Sequence, residues 1–189
     1  MKNKVLITGG AGFIGNELIK LIDKKKIIIV DIKKNKKILN KFKKEKIKYI
    51  SGNLNNKNFV KKILKDVKTI YHLAGITKVP STDINLNLRK EKIIYNNLIN
   101  IMNNLISYVP RNVKIIFPST HLIFENCKKN KQVFYENSEA LTKLAYARGK
   151  LECENILKRN KNNYTILRLG SVYGYAEKSR MFNLPNLFA

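Results

Sequence analysis

Short apolar runs recur along the chain, separated by longer stretches in which apolar residues return at helical spacing. Strands are predicted over residues 4–8, 27–31, 47–50, 69–73, 113–118 and 164–169. Several of these, such as Ile27-Ile28-Ile29-Val30, are unbroken Val/Ile/Leu runs without polar alternation. That pattern suits strands buried on both faces of a parallel sheet. Helices are predicted over 13–23, 57–64, 86–108 and 141–159, so strands and helices alternate. Alternation of this kind reads as α/β, a doubly wound parallel sheet whose right-handed crossovers put every strand's C-terminal end on one rim, where ligands bind. The densest charge run, residues 33–48, lies between the second and third strands and is read as a solvated helix or loop on the flank of the sheet.

Composition adds limits. At 189 residues the chain is long enough for one well-buried domain. No segment approaches the ~20 consecutive apolar residues of a membrane span. The first apolar run, Val5-Leu6-Ile7, begins too close to Met1 to leave room for a signal peptide. Cys127 and Cys153 form neither a disulfide framework nor a metal-ligand spacing, so the expected setting is the reducing cytoplasm and no metal is expected. The 38 basic residues outnumber the 13 acidic ones, giving a formal net charge of +25. A surplus of that size raises the question of a nucleic-acid partner. Most of it is lysine, accompanied by abundant Ile and Asn, whereas nucleic-acid readers rely on arginine for bidentate contacts. Compositional bias is the preferred explanation, and neither a nucleic-acid nor a membrane partner is expected.

Candidate chemistry begins at Thr8-Gly9-Gly10-Ala11-Gly12-Phe13-Ile14-Gly15, between the first strand and the first helix. Glycines there allow a sharp turn and close approach of backbone to a pyrophosphate, and the helix N-terminus offers free N–H groups. Gly15 lets the helix pack closely on the sheet. Asp31 ends the second strand, where a carboxylate accepts from ribose hydroxyls and repels a 2′-phosphate. NAD is therefore preferred over NADP, although Lys33 and Lys34 place positive charge nearby.

Read as Thr-Gly-x-x-Gly-x-x-Gly, this segment resembles the extended short-chain dehydrogenase/reductases, the NAD-dependent epimerase/dehydratase family that acts on nucleotide sugars. Further segments carry the resemblance in the right order: Gly52-Asn53-Leu54, His72-Leu73-Ala74-Gly75, Ile115-Ile116-Phe117-Pro118-Ser119-Thr120, Tyr146-Ala147-Arg148-Gly149-Lys150, and Leu167-Arg168-Leu169-Gly170-Ser171-Val172-Tyr173-Gly174. It implies a Rossmann-like sheet and a cofactor held by Gly9, Gly12, Phe13, Ile14, Gly15, Asp31, Asn53, Leu54, Leu73, Ala74 and Gly75, with Tyr146 and Lys150. Asn53 stands where the family has an acid that meets the adenine, and its carbonyl can take the same bond. The implied catalytic set is Thr120, Tyr146 and Lys150. Tyrosine, with an ordinary pKa near ~10, needs a neighbouring cation to act as a base near neutral pH. Lysine four residues later on one helix supplies it. Tyr95 and Tyr108 lack such a partner. The resemblance further implies that Tyr146 takes the substrate hydroxyl proton, Lys150 bridges to the cofactor ribose and Thr120 bonds the substrate oxygen.

Departures from the family pattern narrow the chemistry. His121-Leu122 follows Thr120 where sugar 4,6-dehydratases have Asp-Glu, which disfavours water elimination. Phe124-Glu125 replaces the usual Tyr-Gly, and Ser171 replaces an asparagine that meets the substrate diphosphate. The family's asparagine on the long helix falls at Asn97 or, one residue on, at Leu98. His72 and His121 are each read as a packed or rim histidine rather than a catalytic one, while Glu125, Glu136 and Glu139 are open between substrate contact and solvated loop. Family members continue into a small substrate domain. Residues 1–175 are therefore expected to be the NAD-binding domain and 176–189 the start of a truncated second one. The expected function is an NAD-dependent epimerase or oxidoreductase acting on a nucleotide-sugar hydroxyl, with a homodimer through helices 86–108 and 141–159. The alternatives are an NAD(P)-dependent reductase of another small substrate, or a non-catalytic dinucleotide-sensing or nucleic-acid-binding protein of the same fold.

Overall fold

Leu6 and Ile7 leave β1 (Lys4–Thr8) on opposite sides, and both are fully buried. The same holds along β2 (Ile27–Asp31), where all five residues are buried. Strands of this kind need cover on both faces, and helices supply it. The computed structural model describes residues 3–76, 84–127 and 133–174. The remaining elements are α1 (Phe13–Lys20), α2 (Lys36–Lys44), β3 (Lys48–Ser51), α3 (Lys57–Ile63), β4 (Val67–His72), α4 (Ile84–Tyr108), β5 (Lys114–Thr120), α5 (Ala145–Arg159) and β6 (Tyr164–Leu169). The strands form one sheet in the order β3-β2-β1-β4-β5-β6, and every pairing is parallel.

Two core layers follow from the strand alternation. Ile7, Ile27 and Ile29 pack with Ile19 of α1 and with Ile38 and Phe42 of α2. Leu6, Ile28, Val30, Ile70, Ile115 and Phe117 pack on the other face with α3, α4 and α5, through residues such as Val60, Leu98, Met102 and Leu157. The doubly wound sheet expected from the sequence is thus present. Because β1 lies between β2 and β4, the direction of winding reverses beside it, and the crevice at that switch point opens on the C-terminal rim.

Several boundaries differ from expectation for local reasons. The first helix stops at Lys20 rather than residue 23, because the Asp23 carboxylate accepts from Lys25 N–H and starts a 3-10 turn over Lys24–Lys26. The charge run contains a true helix, α2: Asn35 caps it by accepting from Ile38 N–H, and Ile38 and Phe42 are its buried face. Ile47 N–H closes back on Phe42 O, so β3 starts one residue later than the apolar run. Helix α5 starts at Ala145, not at 141. The expected second-domain start, 176–189, lies outside the described residues. Among those described, no helix is long and apolar enough to cross a membrane.

Candidate functional site

The glycine turn is built for close approach. Gly9 has φ +71, and a Cβ there would lie 2.8 Å from the Ala74 backbone nitrogen, so the turn presses directly on the strand-end segment after β4. A Cβ on Gly15 would lie 2.6 Å from the Cα of Gly10, which brings the first turn of α1 against the loop that precedes it. Gly12 is the N-cap of α1 and offers no side chain to its first N–H groups, and no acid lies in the first helical turn. Those donors are left for an outside acceptor, and their partial positive charge suits a phosphate. Phe13 and Ile14 line a cleft of about 340 Å³ whose other wall is Val172–Gly174.

Asp31 has a double use. One carboxylate oxygen accepts from Ala11 N–H at 3.0 Å and the other from Lys33 N–H at 3.0 Å. The acid therefore pins the glycine turn to the end of β2. Leu73 N–H donates to Thr8 O, and Ala74 N–H donates to the Thr8 hydroxyl, which also pairs with His72 Nδ1 at 2.8 Å. The structure thus brings Gly9, Asp31, Leu73 and Ala74 to one place at the rim. Leu54 is buried, and its carbonyl and that of Asn55 both accept from the Asn104 carboxamide. Asn53 Oδ1 accepts from the backbone and side-chain nitrogens of Asn55, so its carbonyl is occupied within the loop. The carbonyl expected to meet the adenine amine is thus already shared with Asn55. A backbone N–H can only donate, so the carboxamide orientation is fixed and Nδ2 is its remaining outward group.

On the other side of the switch point, β5 ends in Thr120, whose hydroxyl accepts from Leu122 N–H and caps a 3-10 turn over His121–Phe124. Tyr146 and Lys150 lie one turn apart on α5. The Lys150 ammonium is buried, donates to Pro118 O at 2.7 Å, and stands 4.4 Å from the Phe117 ring centroid and 5.9 Å from that of Tyr146. Burial lowers its pKa to about 8. The neighbouring Phe117 ring stacks on His72 at 5.9 Å. Burial first, and then the Lys150 charge, push the His72 pKa down to about 3. A continuous series, Thr8–His72–Phe117–Lys150, therefore joins the glycine-turn strand to the helix carrying Tyr146. His72 is a packed histidine, and His121 sits exposed at the rim with Nδ1 3.2 Å from Leu169 O.

Other residues settle into structural positions. Leu98 is buried, and its methyl groups fill the space facing Gly75 and Gly149. An added Cβ on those glycines would approach Leu98 to 2.7 and 2.8 Å respectively. Glu125 is bound by three donors at the entry to α5, from Thr142, Lys143 and Leu144. Glu136 gives its backbone carbonyl to Arg168. Arg168 also holds the fully buried Glu154 through Nε and Nη2. Sequence pattern pointed to neither Asn104 nor Glu154, since both earn their places through contacts distant along the chain.

This architecture, a glycine-turn sheet with a Tyr-x-x-x-Lys helix at the same rim, is that of an extended short-chain dehydrogenase-type α/β protein. Within that class, the chain belongs to the NAD dependent epimerase/dehydratase family, whose model matches residues 5–185. Over 178 residues it is 26% identical to a UDP-glucose 4-epimerase of Rickettsia bellii, covering 89% of this chain and 48% of that protein. It is similar to the UDP-Glc/GlcNAc 4-epimerase structure from Campylobacter jejuni, with TM-score 0.70 and 25% identity over 88% of this chain and 53% of that one. The fold is also that of the UDP-glucuronic acid 4-epimerase of Bacillus cereus in complex with NAD, with TM-score 0.73 and 22% identity over 94% of this chain and 59% of that one. The chain thus spans about half the length of these relatives.

Proposed function

We propose that this chain binds NAD across the rim and carries the catalytic residues of a nucleotide-sugar epimerase. The observation that carries the reading is the buried Lys150, fixed on Pro118 O two residues before Thr120 and one helical turn from Tyr146. A lysine ammonium is costly to bury without a purpose, and here it faces a tyrosine that needs a cation to act as a base. The residues fit NAD: the uncapped α1 N-terminus with Phe13 and Ile14 holds the pyrophosphate. Asp31 meets the adenosine ribose while pinning the turn, Asn53 and Leu54 border the base, and Leu73–Gly75 line the dinucleotide.

NAD, when bound, supplies the hydride acceptor and donor that oxidation and re-reduction of a carbinol require. Tyr146 takes the hydroxyl proton of the sugar and returns it. Lys150 holds positive charge beside the phenolate and keeps its proton affinity low. Thr120 orients the same sugar oxygen through its hydroxyl. The absence of an Asp-Glu pair after Thr120 leaves epimerisation favoured over water elimination. The epimerase names of the Rickettsia and Campylobacter relatives support the same reaction class. Packing of α5 on α4 offers a helical surface for a homodimer, which sedimentation at micromolar concentration would show.

The test has two parts. Titration calorimetry on the 189-residue chain should show NAD binding that Gly9→Val or Asp31→Leu weakens at least about tenfold. The same chain, given a panel of nucleotide sugars, should form epimers without net accumulation of NADH. Stoichiometric NADH release would instead identify a dehydrogenase, and no NAD binding would refute the reading.

A further inference from the structure

Glu125 closes the 3-10 turn that Thr120 opens, and its carboxylate reaches across to the entry of α5. One oxygen, Oε1, accepts from the Thr142 hydroxyl at 3.1 Å, Lys143 N–H at 2.9 Å and Leu144 N–H at 3.2 Å. Leu144 is the N-cap of α5 and has no capping side chain of its own. The start of the helix is thus held by an acid that is distant in sequence, placed where the helix dipole favours negative charge. Asn126 N–H donates to Leu141 O at 3.0 Å, so the backbone repeats the link.

Tyr146 is the second residue of α5, in the turn that frays first if the cap is lost. Lys150 is a turn deeper and is anchored independently on Pro118 O. Fraying would therefore move the phenol away from the ammonium, while the ammonium stayed where it is. Thr120, at the opposite end of the four-residue turn, is tied through Glu125 to the same helix entry. The family pattern places glycine at this position, which has no side chain to make the link. We infer that Glu125 is a positioning residue that fixes Tyr146 relative to Lys150 and Thr120. The inference rests on the reading of Tyr146 as the base.

The direction of the effect separates positioning from simple electrostatics. Removing a nearby negative charge stabilises a phenolate, which lowers a tyrosine pKa. Losing the position beside Lys150 raises it. Ultraviolet difference titration of the NAD-saturated chain, referenced to Tyr146→Phe, reads the Tyr146 phenol directly. The wild-type phenol is expected below its ordinary value of ~10. Glu125→Ala should raise it by about one unit, a tenfold gain in proton affinity, and speed hydrogen exchange at Lys143 and Leu144. Glu125→Gln keeps an acceptor oxygen without the charge and should leave the titration at or slightly below the wild-type value. If Glu125→Ala does not fold, Thr142→Val removes one of the three donors and should raise the phenol in the same direction by less. A depressed wild-type phenol that falls or stays put in Glu125→Ala, or in Thr142→Val where Glu125→Ala does not fold, overturns the positioning role alone. A wild-type phenol at its ordinary value overturns both this role and the base reading.

Discussion

At the scale of single residues, the tension lies in Lys150. Its side chain is buried, and desolvation has lowered its pKa to about 8, against ~10.4 for a free lysine. Between those values the unfolded chain binds a proton that the folded chain has released, so stability rises with pH from about 8 to 10. Below pH 8 the burial cost is carried in full. Lys150→Met fills the same space without a charge but leaves Pro118 O without its donor. The apo protein should therefore gain about 1 to 2 kcal/mol at pH 7, measured by urea unfolding, while any NAD-linked turnover is lost. A loss of stability would show that the bond to Pro118 and the Phe117 ring more than repay the burial. Spacing made the shared helix face of Tyr146 and Lys150 legible, because residues four apart lie one turn from each other in any helix. Pro118 O as the ammonium's acceptor was not legible, since it depends on where β5 passes α5. The same limit applies to the occupied carbonyl of Asn53.

At the scale of elements, strand boundaries were legible in β2, whose apolar run is fully buried, and equally in β1 and the half-exposed β6, whose apolar runs are bounded by polar residues. Helix ends were less legible because local polar groups and distant ones compete for the backbone. Leu141 and Leu144 continue the helical spacing upstream of α5, yet Leu144 is extended and its N–H is held by Glu125. Periodicity cannot register a contact that arrives from 17 to 19 residues away. Helix α2 was hidden in a charge run although Asn35, Ile38 and Phe42 carried its signal. Between elements, α5 and β6 are joined by Glu154 and Arg168, with Nη2 to Oε2 at 2.8 Å. Burial pushes the Glu154 carboxyl up, but its bonds to Arg168 outweigh that and hold it below the usual range. Arg168 also lies over the Phe124 ring and grips Glu136 O, so one side chain joins the strand, the helix and two loop segments. Breaking one partner of such a pair strands a buried charge. Glu154→Leu should cost about 3 kcal/mol, and Glu154→Leu with Arg168→Met should recover most of it. Additive losses in denaturant melts would mean that the pair contributes no coupling.

At the scale of the whole molecule, 13 acids cannot neutralise 38 basic residues, and the folded state carries a formal +25 at pH 7. Like charges spread over one small surface repel, and salt relieves part of that. Acid adds a second load. His72 is held neutral with a pKa of about 3, whereas an unfolded histidine titrates near 6.5. Between these values the unfolded state binds the extra proton, so stability falls as the pH drops below 6.5. By pH 5 this one residue should remove about 2 kcal/mol. Glu154 and Glu125 are depressed carboxyls, and their contribution is present above the unfolded glutamate value and lost as pH falls through their folded ones. The two loads respond differently to salt. Screening acts on the surface charge and leaves the enclosed His72 largely untouched. Urea midpoints should therefore rise with sodium chloride at pH 7. The drop from pH 7 to 5 should persist in high salt and flatten in His72→Asn, whose carbonyl can still pair with Thr8. A drop that salt abolishes, or that His72→Asn leaves intact, would place the acid sensitivity in the lysine-rich surface and not in the buried Thr8–His72–Phe117–Lys150 series.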